Sequence, residues 1–410
     1  MIYDRTQHAA ARTDEFLFNQ LIPYLGNKRK LLPLIGRAVA STGIKPRDTF
    51  VDLFAGSGVV SRWAKQQRFR VVCNDWEPYS EPINTAAIAC NAAPPFKSLG
   101  GYHQAIDTLN ALPGQTGWVT RHLCPRSDTT FDTAVDRMFY TRRNGRRIDA
   151  IREQILAWRT DGTIDDIEQA CLLAPLLYQT CYRANTSGVF KGFHNGWGGQ
   201  TGTALYRIAT DLELTPSVFF DNGHVNHVER ADACDLVATT EPADAVYLDP
   251  PYNQHPYASN YHVLNTVTLW DKPELPEHIT PGTKAAIRRD WRTDRRSAYN
   301  YRADATDAYR SLVSTIDARF ILTSYSTDGL IPLEALVAAN AARGQVSAEC
   351  QSYKRYRVSR QRFSHKPMNV EFVLICDTQR SGGESVEAMC DRIRHAEDRA
   401  IAEHPETPDC

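Results

Sequence analysis

Short apolar runs, each followed by a stretch with helical spacing, open the chain and return after residue 240. Thr49-Phe50-Val51-Asp52-Leu53 alternates and then runs apolar, which predicts a buried parallel strand, and residues 57–67 carry the spacing of a following helix. Arg70-Val71-Val72-Cys73-Asn74-Asp75 predicts the next strand, closed by an acid. Further strands are expected over 245–248, 320–324 and 370–376, with a helix over 330–342 between the last two. Alternating strands and helices point to a parallel sheet covered by helices. Residues 85–225 break this pattern. They hold helical segments over 131–159 and 165–182, then a run of glycines and aromatics from Ser187 to Gly199 that suits a hairpin or long loop.

The fold class that follows is α/β, with a Rossmann-like sheet in 16–84 and 226–378. A largely helical domain is inserted over 85–225, and an acidic helical tail, 379–410, is expected to dock loosely. Loops as rich in Gly and Trp as 187–199 more often recognise a partner than support a core.

Composition narrows the function classes. At 410 residues and 42% hydrophobic content the chain is long and apolar enough for two domains or one core with a large insertion. No stretch approaches the ~20 apolar residues of a membrane span, and the polar residues 1–15 lack the core of a signal peptide. Ten cysteines without a C-x-x-C pair read as reduced thiols in a cytoplasm. A net charge of −1 excludes a globally basic DNA coat, so any nucleic-acid contact must come from local patches. Three candidates are Arg137 with the arginines through Arg152, the arginines from Arg288 to Arg302 interleaved with Trp291, Tyr299 and Tyr301, and the basic run from Lys354 to Lys366. Arg142–Arg147 reads equally as a solvated helix face. Mixed basic and aromatic residues, as around Arg295 and Arg296, suit a nucleic-acid backbone.

Two motifs carry chemistry. In Asp52-Leu53-Phe54-Ala55-Gly56-Ser57-Gly58 the glycines allow a sharp turn and close approach of a ligand to a helix start. Asp75 follows at about the 20-residue spacing at which doubly wound folds place a ribose-binding carboxylate. An acid at Asp52 pointing into the site disfavours a pyrophosphate and favours a cationic group, so S-adenosylmethionine fits better than NAD. The second motif, Asp249-Pro250-Pro251-Tyr252, closes the run Ala245-Val246-Tyr247-Leu248. The Asp249 carboxylate and the Pro250 carbonyl can accept the two N–H bonds of adenine's exocyclic amine and direct its lone pair at a methyl donor. Tyr252 can stack on the base, which must leave the duplex. Positioning of this kind can supply roughly 7–11 kcal/mol. No His/Cys cluster has metal spacing, His194 and His255 read as loop residues, and methyl transfer needs no metal.

These residues resemble the D12 class (alpha group) of adenine-N6 DNA methyltransferases, with Dam-type and restriction-associated members. The resemblance covers most of 19–376, in the family's motif order. Pro23-Tyr24-Leu25-Gly26-Asn27-Lys28 is similar to the Dam-type K-W-A-G-G-K, which implies that Lys28 helps hold the cofactor's methionine end, with Tyr24 nearby. By the same match Asp52, Phe54, Gly56 and Gly58 form the cofactor loop, Asp75 is the ribose acid and Asp232 faces the cofactor's adenine. Ser324–Gly329 and Tyr353-Lys354-Arg355-Tyr356 resemble a target-base segment and a basic DNA-facing hairpin. Arg183-Ala184-Asn185-Thr186-Ser187-Gly188-Val189-Phe190 resembles the Dam-type recognition hairpin, which implies DNA contacts from Asn185, Phe190, Lys191 and Trp197. Ser187 and Pro23 replace residues tied to the Dam-type GATC site, and the run Lys191–Gln200 looks more like restriction-associated members.

The resemblance therefore implies a site-specific enzyme on double-stranded DNA, monomeric or weakly dimeric, with a possible cognate restriction endonuclease. The residues alone leave open an RNA adenine or protein-glutamine substrate. They also leave open a binding module without chemistry, against which the intact Asp249, Tyr252 and glycine loop argue.

Overall fold

The computed structural model describes residues 15–354 and 368–403. Its frame is a seven-stranded sheet of β1 (Thr49–Asp52), β2 (Arg70–Asn74), β3 (His227–Glu229), β4 (Ala243–Leu248), β5 (Ala318–Ser326), β6 (Gln345–Lys354) and β7 (Met368–Asp377). Their order is β3-β2-β1-β4-β5-β7-β6. The first five are parallel, β7 runs antiparallel to β5, and β6 antiparallel to β7. The order reverses between β1 and β4, the switch point where open α/β sheets bind ligands beyond the strands' carboxyl ends. Both chemical motifs leave the sheet there.

The helices that position the site are, in chain order, α1 (Leu32–Thr42), α2 (Val59–Gln66), α3 (Arg142–Thr160), α4 (Asp166–Tyr182), α5 (Ala233–Val237), α6 (His262–Leu269), α7 (Ala305–Thr315), α8 (Leu333–Ala341) and α9 (Val386–Glu403). Leu34, Ile35 and Ala38 of α1 and Val59 and Val60 of α2 bury one sheet face against Phe50, Tyr247 and Phe320. Leu312, Val313, Leu336, Val337 and Ile393 cover the other against Val51, Val246 and Ile321. Burial on both faces is why the central strands read as continuous apolar runs. The expected strands all form; β3, one partly buried residue between two exposed ones, and β6 were not among them.

The inserted segment differs from expectation in three ways. Its long helix starts at Arg142 rather than near 131, where the Thr141 side chain accepts from Asn144 N and caps it. Its arginines split: Arg143 and Arg146 are exposed, Arg143 paired with Asp211, whereas others turn inward. Arg137, almost wholly buried, donates to the carbonyls of His122, Pro276, His278 and Lys284. Arg152 donates to Val267 and Thr268, and Arg147 to Leu112 and Leu212. The guanidiniums thus satisfy loop carbonyls that helices and strands leave unpaired. Third, the core of the insert is shared with Tyr261, Val263, Leu264, Val267 and Trp270, so packing does not stop at residue 225.

The acidic tail is firmly docked where it is described. Met389, Cys390, Ile393 and Ala400 of α9 are buried on the sheet, and Glu397 accepts from Thr327 Oγ1 at 2.7 Å. Most of its other charges occupy the outer face of an amphipathic helix, which composition alone hides.

Candidate active site

The turn after β1 is shaped by close packing. Gly56 and Gly58 have φ of +52° and +79°. A Cβ at Gly56 would meet the Tyr24 ring at 2.6 Å, and one at Gly58 would meet Asn84 Oδ1 at 2.0 Å. Asp75 ties the turn down from β2: its carboxylate accepts from Gly56 N at 2.7 Å and from Glu77 N at 2.8 Å. Burial raises its pKa to about 6 despite those bonds.

Beyond the strand ends lies a cavity of about 270 Å³ whose wall includes Tyr24, Phe54, Asp75, Asp232 and Asp249. Five of the residues singled out in the sequence therefore converge from five chain segments. Asp232 also caps α5 by accepting from Cys234 N at 2.8 Å. Trp76, Glu77, Tyr257 and Asn300 complete much of the wall and were not anticipated, and Tyr299, read in the sequence as part of a basic and aromatic cluster, lines it too. Trp76 directly follows Asp75, and an aromatic at that position is a signal the sequence did offer. Tyr299 sits edge-on to Phe54, with ring centroids 5.4 Å apart. Glu77, its carboxylate receiving Asn265 Nδ2 at 2.7 Å, is pushed up to about 7 by burial.

Four of the expected cofactor residues are not on the cavity wall: Gly56 and Gly58 build the turn, and Asp52 and Lys28 have other partners. Asp52 does not point into the cavity; it is buried beneath the turn, accepting from Ser61 Oγ of α2 at 2.7 Å, and burial pushes its pKa up to about 7. Lys28 is buried too, and its ammonium is committed to the Asp249–Tyr252 motif. It lies 3.0 Å from Asp249 Oδ1 and donates to Tyr252 Oη at 3.2 Å. Burial by itself would lower the Lys28 pKa, but Asp249 and Tyr252 outweigh it and hold the value well above the usual range. Burial raises Asp249, with Lys28 opposing the shift.

Asp249-Pro250-Pro251-Tyr252 opens off β4, with Pro250 buried and the other three partly exposed. The Tyr252 ring meets Tyr325 edge-on at 5.4 Å, and its carbonyl accepts from Leu330 N at 3.2 Å. The segment after β5 therefore braces the motif. On the other side Tyr24 stacks on Tyr257 and Tyr261, with centroids 5.1 Å apart in both pairs. The arrangement offers a carboxylate, a donor-free proline backbone and an aromatic ring at the mouth of a cavity able to hold a second reactant.

The family model for D12 class N6 adenine-specific DNA methyltransferases matches residues 24–311, which span the turn, the insert and the catalytic motif. The chain belongs to this family. It is an adenine-specific DNA methyltransferase. It is 30% identical over 340 residues to the type II methyltransferase M.NlaIII of Neisseria lactamica, covering 82% of this chain and 93% of that one. It is 30% identical to the modification methylase StsI of Streptococcus sanguinis, and 26% to the type II methyltransferase M.FokI of Planomicrobium okeanokoites. Those matches cover 76% and 84% of this chain but 45% and 50% of the relatives, so it spans about half the length of each.

The residues expected on the DNA side of this methyltransferase divide. Asn185 is fully buried; its amide donates to the carbonyls of Met138, His194 and Gly196 and accepts from Gly198 N. Phe190 is buried against Phe139 and His262. Neither presents a surface to DNA, because both hold the recognition loop in shape. Lys191 and Trp197 are partly exposed on that loop, Trp197 fixed by Nε1 donating to Asp128 O at 2.9 Å. Arg295 and Arg296 lie on the cavity wall, paired with Asp290 and Asp304, so neighbouring carboxylates already neutralise them. Lys354 ends β6, and Arg355 lies outside the described residues.

Proposed function

We propose that this methyltransferase takes its methyl group from S-adenosylmethionine and delivers it to an adenine extruded from duplex DNA, as the modification enzyme of a restriction system. The observation that carries the reading is the placement of Asp249 on the wall of the cavity that Asp75 and Asp232 also line.

The cavity's chemistry fits the cofactor. Asp75 would hold ribose hydroxyls, Asp232 the adenine amine, and Phe54 and Trp76 the flat ring. When bound, the cofactor supplies an electrophilic methyl on its sulfonium. The protein's part is positioning. Asp249 and the Pro250 carbonyl accept the two N–H bonds of the target amine, and the Tyr252 ring stacks on the base. The amine would pass one proton to the Asp249 carboxylate or to solvent as the N–C bond forms and the sulfonium S–C bond breaks. Buried aromatic walls keep water from the reacting atoms, which strengthens these polar contacts.

Lys191, Trp197 and the basic segment from Lys354 and Arg355 onward contribute the DNA-facing side in this reading. Support for a restriction partner comes from the relatives, whose names are those of type II and modification methylases. A cytoplasmic enzyme acting as a monomer or weak dimer accords with a reaction that engages one strand per turnover. Among the described residues, no helix is long and apolar enough to cross a membrane. Calorimetric titration of the wild type with S-adenosylmethionine tests the cofactor: saturable binding to one site is expected, and no binding with or without duplex DNA would overturn it.

A further inference from the structure

Lys28 is shared by two carboxylates from distant elements. Its ammonium lies 3.0 Å from Asp249 Oδ1 and 3.9 Å from Glu371 Oε2. The three side chains are 3%, 16% and 7% exposed. Glu371 occupies the middle of β7, in the run Met-Asn-Val-Glu-Phe-Val-Leu-Ile-Cys, where every neighbour is buried. An unpaired carboxylate there would be strongly unfavourable, so its presence needs a compensating cation. Glu371 stands opposite Ser326 of β5 in the strand register, one residue beyond the Tyr325 ring that supports Tyr252.

We propose that Glu371 is a positioning residue for methyl transfer, which shares the Lys28 ammonium with Asp249 and thereby sets how tightly that ammonium engages the catalytic carboxylate. The inference rests on the reading of Asp249 as acceptor of the target amine. Because Lys28 holds Asp249 through Oδ1, Oδ2 remains for that amine. Two negative groups around one positive group leave the cluster with a net negative charge, suited to an N–H donor rather than to a second anion.

Other groups face this cluster from every side: Asp52 from β1, Tyr247 from β4, Tyr252 and Tyr257 from the loop after β4, and Tyr325 from β5. Asp328, beyond β5, faces Glu371. These groups, including Asp52 with its pKa of about 7, are common to all the variants, so the two substitutions act with opposite sign. Glu371→Gln removes a repelling charge and leaves Lys28 wholly to Asp249, so Asp249 ionises more readily. Lys28→Met removes the attraction, so it ionises less readily.

The test is the pH profile of single-turnover methylation, at saturating S-adenosylmethionine and duplex DNA, for wild type, Glu371→Gln, Glu371→Asp, Lys28→Met and Asp249→Asn. The acidic limb should move down by roughly one pH unit in Glu371→Gln and up by a similar amount in Lys28→Met. Glu371→Asp, which keeps the charge, should return the limb toward wild type, and cofactor affinity in Glu371→Gln should stay within about twofold of wild type. A limb that moves the same way in both variants, or stays fixed while melting temperature falls, would show a structural role and overturn the inference. A Glu371→Asp profile identical to that of Glu371→Gln would overturn it as well. If Asp249→Asn keeps wild-type turnover, the reading of Asp249 fails and takes the inference with it; if Asp249→Asn is inactive, the limb shifts decide the inference alone.

Discussion

The Lys28 ammonium and the Asp249 carboxylate, 221 positions apart in the sequence, meet at the end of β4, with Nζ–Oδ1 at 3.0 Å.

 The pair joins the turn that carries Lys28 to the Asp249–Tyr252 motif. The same pairing explains why Lys28 is buried: a lysine this far from solvent keeps its charge because opposite charge surrounds it.

Asp75 is expected to matter to cofactor binding more than to folding. Asp75→Ala removes both a wall group of the cavity and the acceptor of Gly56 N. Affinity for S-adenosylmethionine should weaken roughly 10- to 100-fold, as for a lost hydrogen bond to a charged group. Calorimetry measures it; unchanged affinity would remove Asp75 from the site.

Gly58→Ala tests the turn itself. The new Cβ would sit 2.0 Å from Asn84 Oδ1, at a φ of +79°. The left-handed backbone alone costs about 1–2 kcal/mol, and Asn84, which donates to Gly56 O and Ser80 O, must also shift. A lower melting temperature together with weaker cofactor binding is expected. Wild-type values for both would show that the turn tolerates a side chain.

Asn185→Ala should separate DNA recognition from cofactor binding. It leaves three loop carbonyls and Gly198 N without their partner, which costs about 1–3 kcal/mol. The expected signature is a higher KM for DNA and a lower melting temperature, with cofactor affinity unchanged. An unchanged KM would show that the loop's shape does not depend on this amide.

Asp52 gives a pH dependence with a defined sign. Its folded pKa, about 7, lies above the unfolded value, so between the two the folded state holds the extra proton. This group's contribution to stability is therefore full at low pH and is lost as pH rises toward about 7. Asp52→Asn keeps an acceptor for Ser61 and removes the titration. Its melting temperature should fall less than that of the wild type between about pH 5 and about pH 7; parallel curves would contradict the assignment.

Much of this architecture was legible in the sequence, because buried parallel strands are short apolar runs and glycine turns have few substitutes. The strands ending at Asp52, Asn74 and Leu248 and the placement of Asp75 and Asp249 at strand ends follow from such local signals, whereas Asp232 entered only through the family resemblance. What escaped was side-chain direction. Asp52 looks like a ligand-facing acid in the motif, yet tertiary packing turns it toward Ser61. Arg137 and Arg152 look like a phosphate-binding patch, yet unpaired carbonyls from residues far along the chain claim them. Asn185 and Phe190 sit in a motif tied to DNA reading, but they build the loop from inside. Glu371 did carry a signal: it is an acid in the middle of an otherwise apolar strand. Its partner, Lys28, lies too far away in sequence to be named from pattern alone.

The most direct test of the central claim compares the wild type with Asp249→Asn. Both would be incubated with methyl-labelled S-adenosylmethionine and unmethylated duplex DNA, and the labelled nucleoside identified. The account predicts N6-methyladenine from the wild type, at one short sequence, and turnover reduced at least about 100-fold in the variant, with cofactor binding retained. Wild-type turnover by Asp249→Asn, or label in a nucleoside other than N6-methyladenine, would contradict it.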